Sequence, residues 1–242
     1  MYGGYYGYGM EYYASMIVLI PAIIFTFICQ GKIKAAYSKY ANIANSRGLT
    51  GAEAARRMMD ANGMTNVVIN ILNTKNSLTN YYDPKTKSLN LSEQVYNSTS
   101  IASVCIACHE VGHAIQDAEH YAPLAFRNGI VPFVNLTQTL SWPLILIGMC
   151  LTFTSSYGNL LFLIGVICFC FVILFHLVTL PVEFNASNRA LESMRELNMV
   201  NEDDYIGSRE VLRAAAMTYV AALATAVANL LRVLLIASSR RR

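Results

Sequence analysis

Charge is what this sequence has least of. Asp, Glu, Lys and Arg make up 14% of its 242 residues, where a soluble domain carries about 25%. With 55% hydrophobic residues and a mean hydropathy of +0.38, an ordinary water-soluble globule is excluded. None of the 18 Lys and Arg precedes Met16. The first apolar stretch, Met16–Cys29, therefore lacks the basic n-region of a signal peptide, and no small-x-small cleavage site follows it. It reads as an uncleaved anchor. The net charge of +3 is too small to call for a nucleic-acid partner. Cys29, Cys105, Cys108, Cys150, Cys168 and Cys170 are scattered through apolar stretches, where cysteines behave as small hydrophobes.

Two more runs, Ile130–Phe153 and Leu160–Leu180, are long and apolar enough to span or nearly span a bilayer. Ten basic residues fall between Gln30 and Arg127, four more follow the third span, and none lies in the Thr154–Asn159 loop. The positive-inside rule then puts the N-terminus outside and residues 31–129 and 182–213 in the cytoplasm. Met217–Ala237 is long enough to span as well. Asn229 and Arg232 interrupt it and Arg240, Arg241 and Arg242 follow it, which slightly favours a helix packed on the membrane core.

The expected order is a Gly/Tyr-rich tail over 1–13, a first span over 14–30 and a cytoplasmic region over 31–129. A transmembrane hairpin over 130–180, a cytoplasmic segment over 181–213 and an apolar helix with a basic tail over 214–242 complete it. Within the cytoplasmic region, Thr50-Gly-Ala-Glu53 is a capping box opening a short helix. Val67–Leu72, Leu78–Tyr82 and Ser88–Leu91 suggest a small antiparallel sheet, with Asp83-Pro84-Lys85-Thr86 as a hairpin turn. Glu202, Asp203 and Asp204 mark a solvated turn. The expected fold class is a mostly helical α+β membrane protein.

Histidine is also scarce, with four in the chain, yet two of them stand in His109-Glu110-Val111-Gly112-His113. If Ser100 to Asp117 is helical, His109 and His113 lie one turn apart on one face and can chelate one zinc ion. Glu110, rotated about 100° from His109, sits where it can take a proton from a metal-activated water. Cys105-Ile-Ala-Cys108-His109 also matches the C-x-x-C-H haem attachment pattern. Haem attachment normally requires export, however, and the charge asymmetry places this segment inside.

A catalytic zinc takes three protein ligands and an open position. Gln116 and Glu119 stand where a metzincin has glycine and histidine, and His120 is one residue late. His176 lies within a span. Glu183, just past the third span in an apolar neighbourhood, is the best third ligand, and Ala186 and Ser187 after it would let two helices approach closely. Tyr219 or Arg213 could stabilise an oxyanion, although both residue types more often pack or face the interface. Asn80, Tyr81 and Tyr82 could contact a peptide added to the sheet edge.

Arg47-Gly-Leu-Thr-Gly-Ala-Glu-Ala-Ala-Arg-Arg, Tyr82-Asp-Pro, Leu91-Ser, His109-Glu-Val-Gly-His-Ala-Ile-Gln116, Tyr121-Ala-Pro and Pro181-Val-Glu-Phe-Asn-Ala-Ser-Asn-Arg-Ala-Leu extend the pattern. Together they resemble the neutral zinc metallopeptidases of bacterial membranes, the YugP-like family, from about Gln30 to the C-terminus. The resemblance implies a gluzincin-type site with His109, His113 and Glu183 on zinc and Glu110 as catalytic base. The chain is also similar to HtpX-like proteases, with Ser187 where those carry a second-shell Asp. A membrane zinc endopeptidase acting on peptides or membrane proteins at the cytoplasmic face is the expectation. The alternative is a scaffold or chaperone with a structural zinc, its fourth ligand drawn from Cys105, Glu119 or His120. Asp117, Glu119 and Arg127 near the motif argue against a site buried inside the bilayer.

Overall fold

The computed structural model describes residues 15–72, 79–151, 155 and 157–239. The Gly/Tyr-rich tail, Leu78, Thr154 and Ser156 of the Thr154–Asn159 loop and the terminal arginines lie outside the described residues. The elements in chain order are α1 (Leu19–Tyr40), α2 (Gly51–Ala61), β1 (Val68–Leu72), β2 (Tyr81–Asp83) and β3 (Ser88–Ser92). Then come α3 (Glu93–Asn97), α4 (Ile101–Ala118), α5 (Ala122–Leu151), α6 (Tyr157–Glu196) and α7 (Glu202–Ser239). The protein is thus mostly helical, with one small sheet.

Among the described residues, four helices are long and apolar enough to cross a membrane: Ser15–Tyr40, Ala122–Leu151, Tyr157–Glu196 and Glu202–Ser238. The last runs as one unbroken helix through Asn229, whose side-chain amide donates to the carbonyl of Thr225 one turn back at 2.9 Å.

The chain divides into two compact units. One comprises Met1–Cys29, Phe126–Thr179 and Thr218–Arg242. Its helices carry large exposed apolar side chains, among them Ile24, Phe27, Leu136, Leu163 and Leu231, as surfaces solvated by lipid should. Small residues bring its helices together. A Cβ at Gly148 would lie 2.4 Å from the backbone nitrogen of Phe162, the close backbone approach that membrane helices use in place of hydrophobic collapse.

The other unit comprises Gln30–Ala125 and Leu180–Met217, and it has a conventional buried core. Met58 and Met59 of α2, Leu89 and Leu91 of β3, Val104 and Val111 of α4 and Met194 of α6 are all fully buried. The capping box is present: Thr50 Oγ1 accepts from the Glu53 N–H at 3.1 Å, and Glu53 accepts from the Thr50 N–H at 2.8 Å. Ser100 caps α4 in the same way, accepting from the Ser103 N–H at 3.1 Å.

The sheet has the order β1-β3-β2. β2 and β3 form the expected antiparallel hairpin, but β1 runs parallel to β3, so the sheet is mixed and not antiparallel. All five residues of β3 are buried, which makes it the central strand. The hairpin fills one side of β3, leaving β1 the other. Asp204 departs from the expected solvated turn. It is buried and accepts from both the backbone N–H and the hydroxyl of Ser46.

Candidate metal centre

The centre is built on two helices. α4 carries His109, Glu110 and His113, and α6 carries Glu183 and Ser187. Gly112 is what lets these helices meet: a Cβ there would lie 2.5 Å from the carbonyl oxygen of Ala186. Ala186 is itself fully buried. With no side chain on one helix and a methyl on the other, the backbones touch and Glu183, one turn before Ala186, comes level with the histidines.

Glu183 Oε2 lies 3.4 Å from His109 Nε2 and 3.8 Å from His113 Nε2. The three ligand atoms all fall within 4.8 Å of one another. Donors at about 2.0–2.2 Å from a tetrahedral zinc stand a little over ~3 Å apart, so this set fits that ion with small adjustments.

Both imidazoles are held from behind. Gln116 donates its amide N–H groups to the carbonyl of Val182 at 2.8 Å and to Asn185 Oδ1 at 2.9 Å. Its own oxygen, 3.0 Å from His113 Nδ1, is left as the acceptor. His113 therefore donates from Nδ1 to Gln116, and its Nε2 is the nitrogen that faces Glu183. Asn185 accepts in turn from Arg189 Nε at 2.7 Å, and Arg189 pairs with Glu119 at 2.7 Å. Ser187 Oγ lies 3.2 Å from His109 Nδ1, the position from which an outer group fixes a ligand's ring.

Glu110 sits beside this cluster, partly buried. Burial raises its carboxyl above the ordinary range, and the charge of Glu183 adds to that. His109, His113 and a hydrogen bond donated by the Tyr82 backbone N–H pull the other way without cancelling it. Burial also works against a charged His113, but the hydrogen bond to Glu183 and the charges of Glu110 and Glu183 outweigh it and raise its pKa. β2 is pinned to α4 at this point. The Tyr82 hydroxyl donates to Asp117 at 2.7 Å, and Lys87 pairs with the same carboxylate at 2.6 Å.

The other sequence candidates fall elsewhere. Cys105 is fully buried and directs its thiol to the carbonyl of Ala102 at 3.3 Å. Burial pushes the Cys108 thiol up to about 12, so it stays a neutral apolar group. Glu119 is engaged by Arg189, and His120 occupies a left-handed turn with φ 54°. None of Cys105, Glu119 and His120 joins the three-ligand group among the described residues. His176 belongs to the apolar part of α6, and Tyr219 to the same unit as that part. Arg213 lines a groove with Lys32 and Glu210. Asn80 accepts from the Ser92 N–H at 2.8 Å. Gln116 and Asn185 are the residues that sequence reasoning passed over. Gln116 stands three residues after His113, on the same helix face, which was a usable signal.

Residues 15–238 match the family described as "Putative neutral zinc metallopeptidase". The chain is 39% identical over 221 residues to the "Putative membrane protease YugP" of Bacillus subtilis (strain 168), a match covering 91% of this chain and 95% of that protein. No solved structure matches. With the motif helix, a His, His, Glu cluster and four apolar helices in place, this membrane-associated chain belongs to that zinc metallopeptidase family.

Proposed function

We propose that the protein is a membrane-bound, zinc-dependent endopeptidase in which His109, His113 and Glu183 hold the metal and Glu110 is the catalytic base. One observation carries this reading. Three donor atoms from two helices converge within 4.8 Å, with Ser187 and Gln116 behind the two imidazoles. A zinc ion bound there supplies a Lewis acid for the scissile carbonyl and lowers the pKa of a water to about 7.

The chain's own residues do the rest. Glu110 accepts a proton from the attacking water as its oxygen bonds to the carbonyl carbon. The C–N bond breaks, and Glu110 returns that proton to the leaving amine. A carboxyl raised by its surroundings is suited to this, because it must take up a proton and give it away within one turnover. β2 is an edge strand beside Glu110, and an extended peptide adding along it would bring its carbonyl to the same place. The absence of basic residues before Met16 and in the Thr154–Asn159 loop supports a cytoplasmic site. Membrane proteins and membrane-proximal peptides are then the substrate class.

Metal content of the full chain in detergent tests the ligand set, with casein cleavage followed in parallel. One zinc per wild-type chain, sharply reduced in His113→Ala and Glu183→Ala, together with chelator-sensitive cleavage, is expected. Full zinc in Glu183→Ala would remove Glu183 from the site.

A further inference from the structure

Away from the metal centre, a groove of about 420 Å³ lies between α1 and α7. Ligand sites typically measure about 300–1,000 Å³. From α1 it is lined by Lys32, Ala35, Ala36 and Lys39, and from α7 by Glu210, Arg213, Ala214 and Met217. Each set follows the i, i+3, i+4, i+7 spacing of a single helix face, so two faces oppose one another across the groove. The alanines leave the space and the longer side chains ring it.

The groove is preformed. Tyr40 packs on Gly207, where a Cβ would lie 2.6 Å from the ring. The Tyr40 hydroxyl donates to Glu210 at 2.6 Å, and Lys39 reaches that hydroxyl at 2.9 Å and Glu210 at 3.4 Å. Glu210 is thereby engaged by Tyr40 and Lys39. Lys32 and Arg213 are exposed and make no ion pair among the described residues. Three cations against one carboxylate leave the groove with an excess of positive charge.

Its place along the chain indicates what that charge meets. α1 leaves the apolar unit after Cys29, and α7 enters it after Met217. Lys32 is thus one turn from a span, and Met217 closes the groove at the start of another. We propose that this groove binds the phosphate of an anionic phospholipid headgroup, with Lys32 and Arg213 as its principal contacts. Basic pockets between membrane helices at the cytoplasmic side recognise such groups, and each Lys or Arg near the surface contributes about a fivefold gain in affinity. The proposal is independent of the metal centre, and its test has no catalytic readout.

The full chain in neutral detergent micelles is titrated with phosphatidylglycerol, phosphatidylcholine or inorganic phosphate. Affinity is read from the shift of the thermal unfolding midpoint, since a ligand of the folded state raises it. Phosphatidylglycerol should raise the midpoint saturably, and the other two should not. Lys32→Gln with Arg213→Gln should weaken that binding by more than ~tenfold. Lys34→Gln, on the same helix but outside the groove, should leave it unchanged. Glu210→Gln should tighten it. A loss as large in Lys34→Gln would mean diffuse surface charge and overturn the site. Equal binding of inorganic phosphate would overturn the lipid assignment. No response to phosphatidylglycerol, or a response indifferent to Lys32 and Arg213, would overturn the proposal outright.

Discussion

At the residue scale, the metal centre depends on groups that would not touch the metal. Gln116 is fully buried and uses both ends of its amide, one on His113 and the other on α6. Gln116→Ala removes the acceptor that sets the His113 tautomer. We expect metal affinity, measured by competition with a chelator, to fall by about 10–100-fold. Ser187→Ala should give a smaller loss, since its contact with His109 is longer, at 3.2 Å.

The raised carboxyl of Glu110 makes a separate prediction for the metal-free protein. Its folded pKa lies above the unfolded value because burial disfavours the charge. Its contribution to stability is therefore complete below the unfolded pKa and is lost as pH rises through the folded one. Chelated Glu110→Gln should then match chelated wild type in acid and exceed it at neutral pH, as read by thermal unfolding in detergent. A difference that does not change with pH would contradict this origin.

At the element scale, the crossing of α4 and α6 is the critical contact. Gly112→Ala improves intrinsic helix propensity by about 1 kcal/mol. The new methyl would nevertheless meet backbone, 2.5 Å from the Ala186 oxygen, and backbone cannot rotate away. Overpacking of this kind costs about 1–3 kcal/mol. We expect a lower unfolding midpoint together with weaker metal binding, because Glu183 moves with α6. A fully stable Gly112→Ala protein with unchanged metal affinity would show that the helices have room to part.

This contact was partly legible in the sequence. The one-turn spacing of His109 and His113 predicted the motif helix, its Ser100 cap emerged only in the structure, and Ala186 and Ser187 pointed to close helix packing. The histidine spacing pointed to two candidate ligands and the apolar neighbourhood of Glu183 to a third, and the three lie within 4.8 Å of one another. What stayed hidden depends on pairing across distance. The parallel β1–β3 register comes from which side of β3 the hairpin leaves open, and no local pattern encodes that. Asp204 looked like a solvated acid because its partner, Ser46, lies 158 residues away. The hold of Gln116 on Val182 and Asn185 likewise required two helices to be placed first.

At the scale of the whole molecule, four apolar helices accompany a compact polar-and-apolar unit with its own core. The charge pattern predicts which side each connection faces. A cysteine placed at Ser155 should react with a membrane-impermeant thiol reagent added outside intact cells, and one at Asn201 only after permeabilisation. The reverse labelling would turn the molecule over and place the metal centre outside.

On the proposed reading, the His, His, Glu cluster and Glu110 perform hydrolysis and do not merely hold a structural ion. The measurement that tests it most directly compares zinc content and casein turnover in wild type and Glu110→Gln. Glutamine keeps the size of Glu110 and an oxygen for the Tyr82 N–H, but it cannot carry a proton between water and amine. Undiminished zinc and a loss of turnover on the order of 10²–10⁴-fold, the range of general acid–base contributions, are expected. Wild-type turnover in Glu110→Gln, with zinc still bound by His109, His113 and Glu183, would contradict this reading.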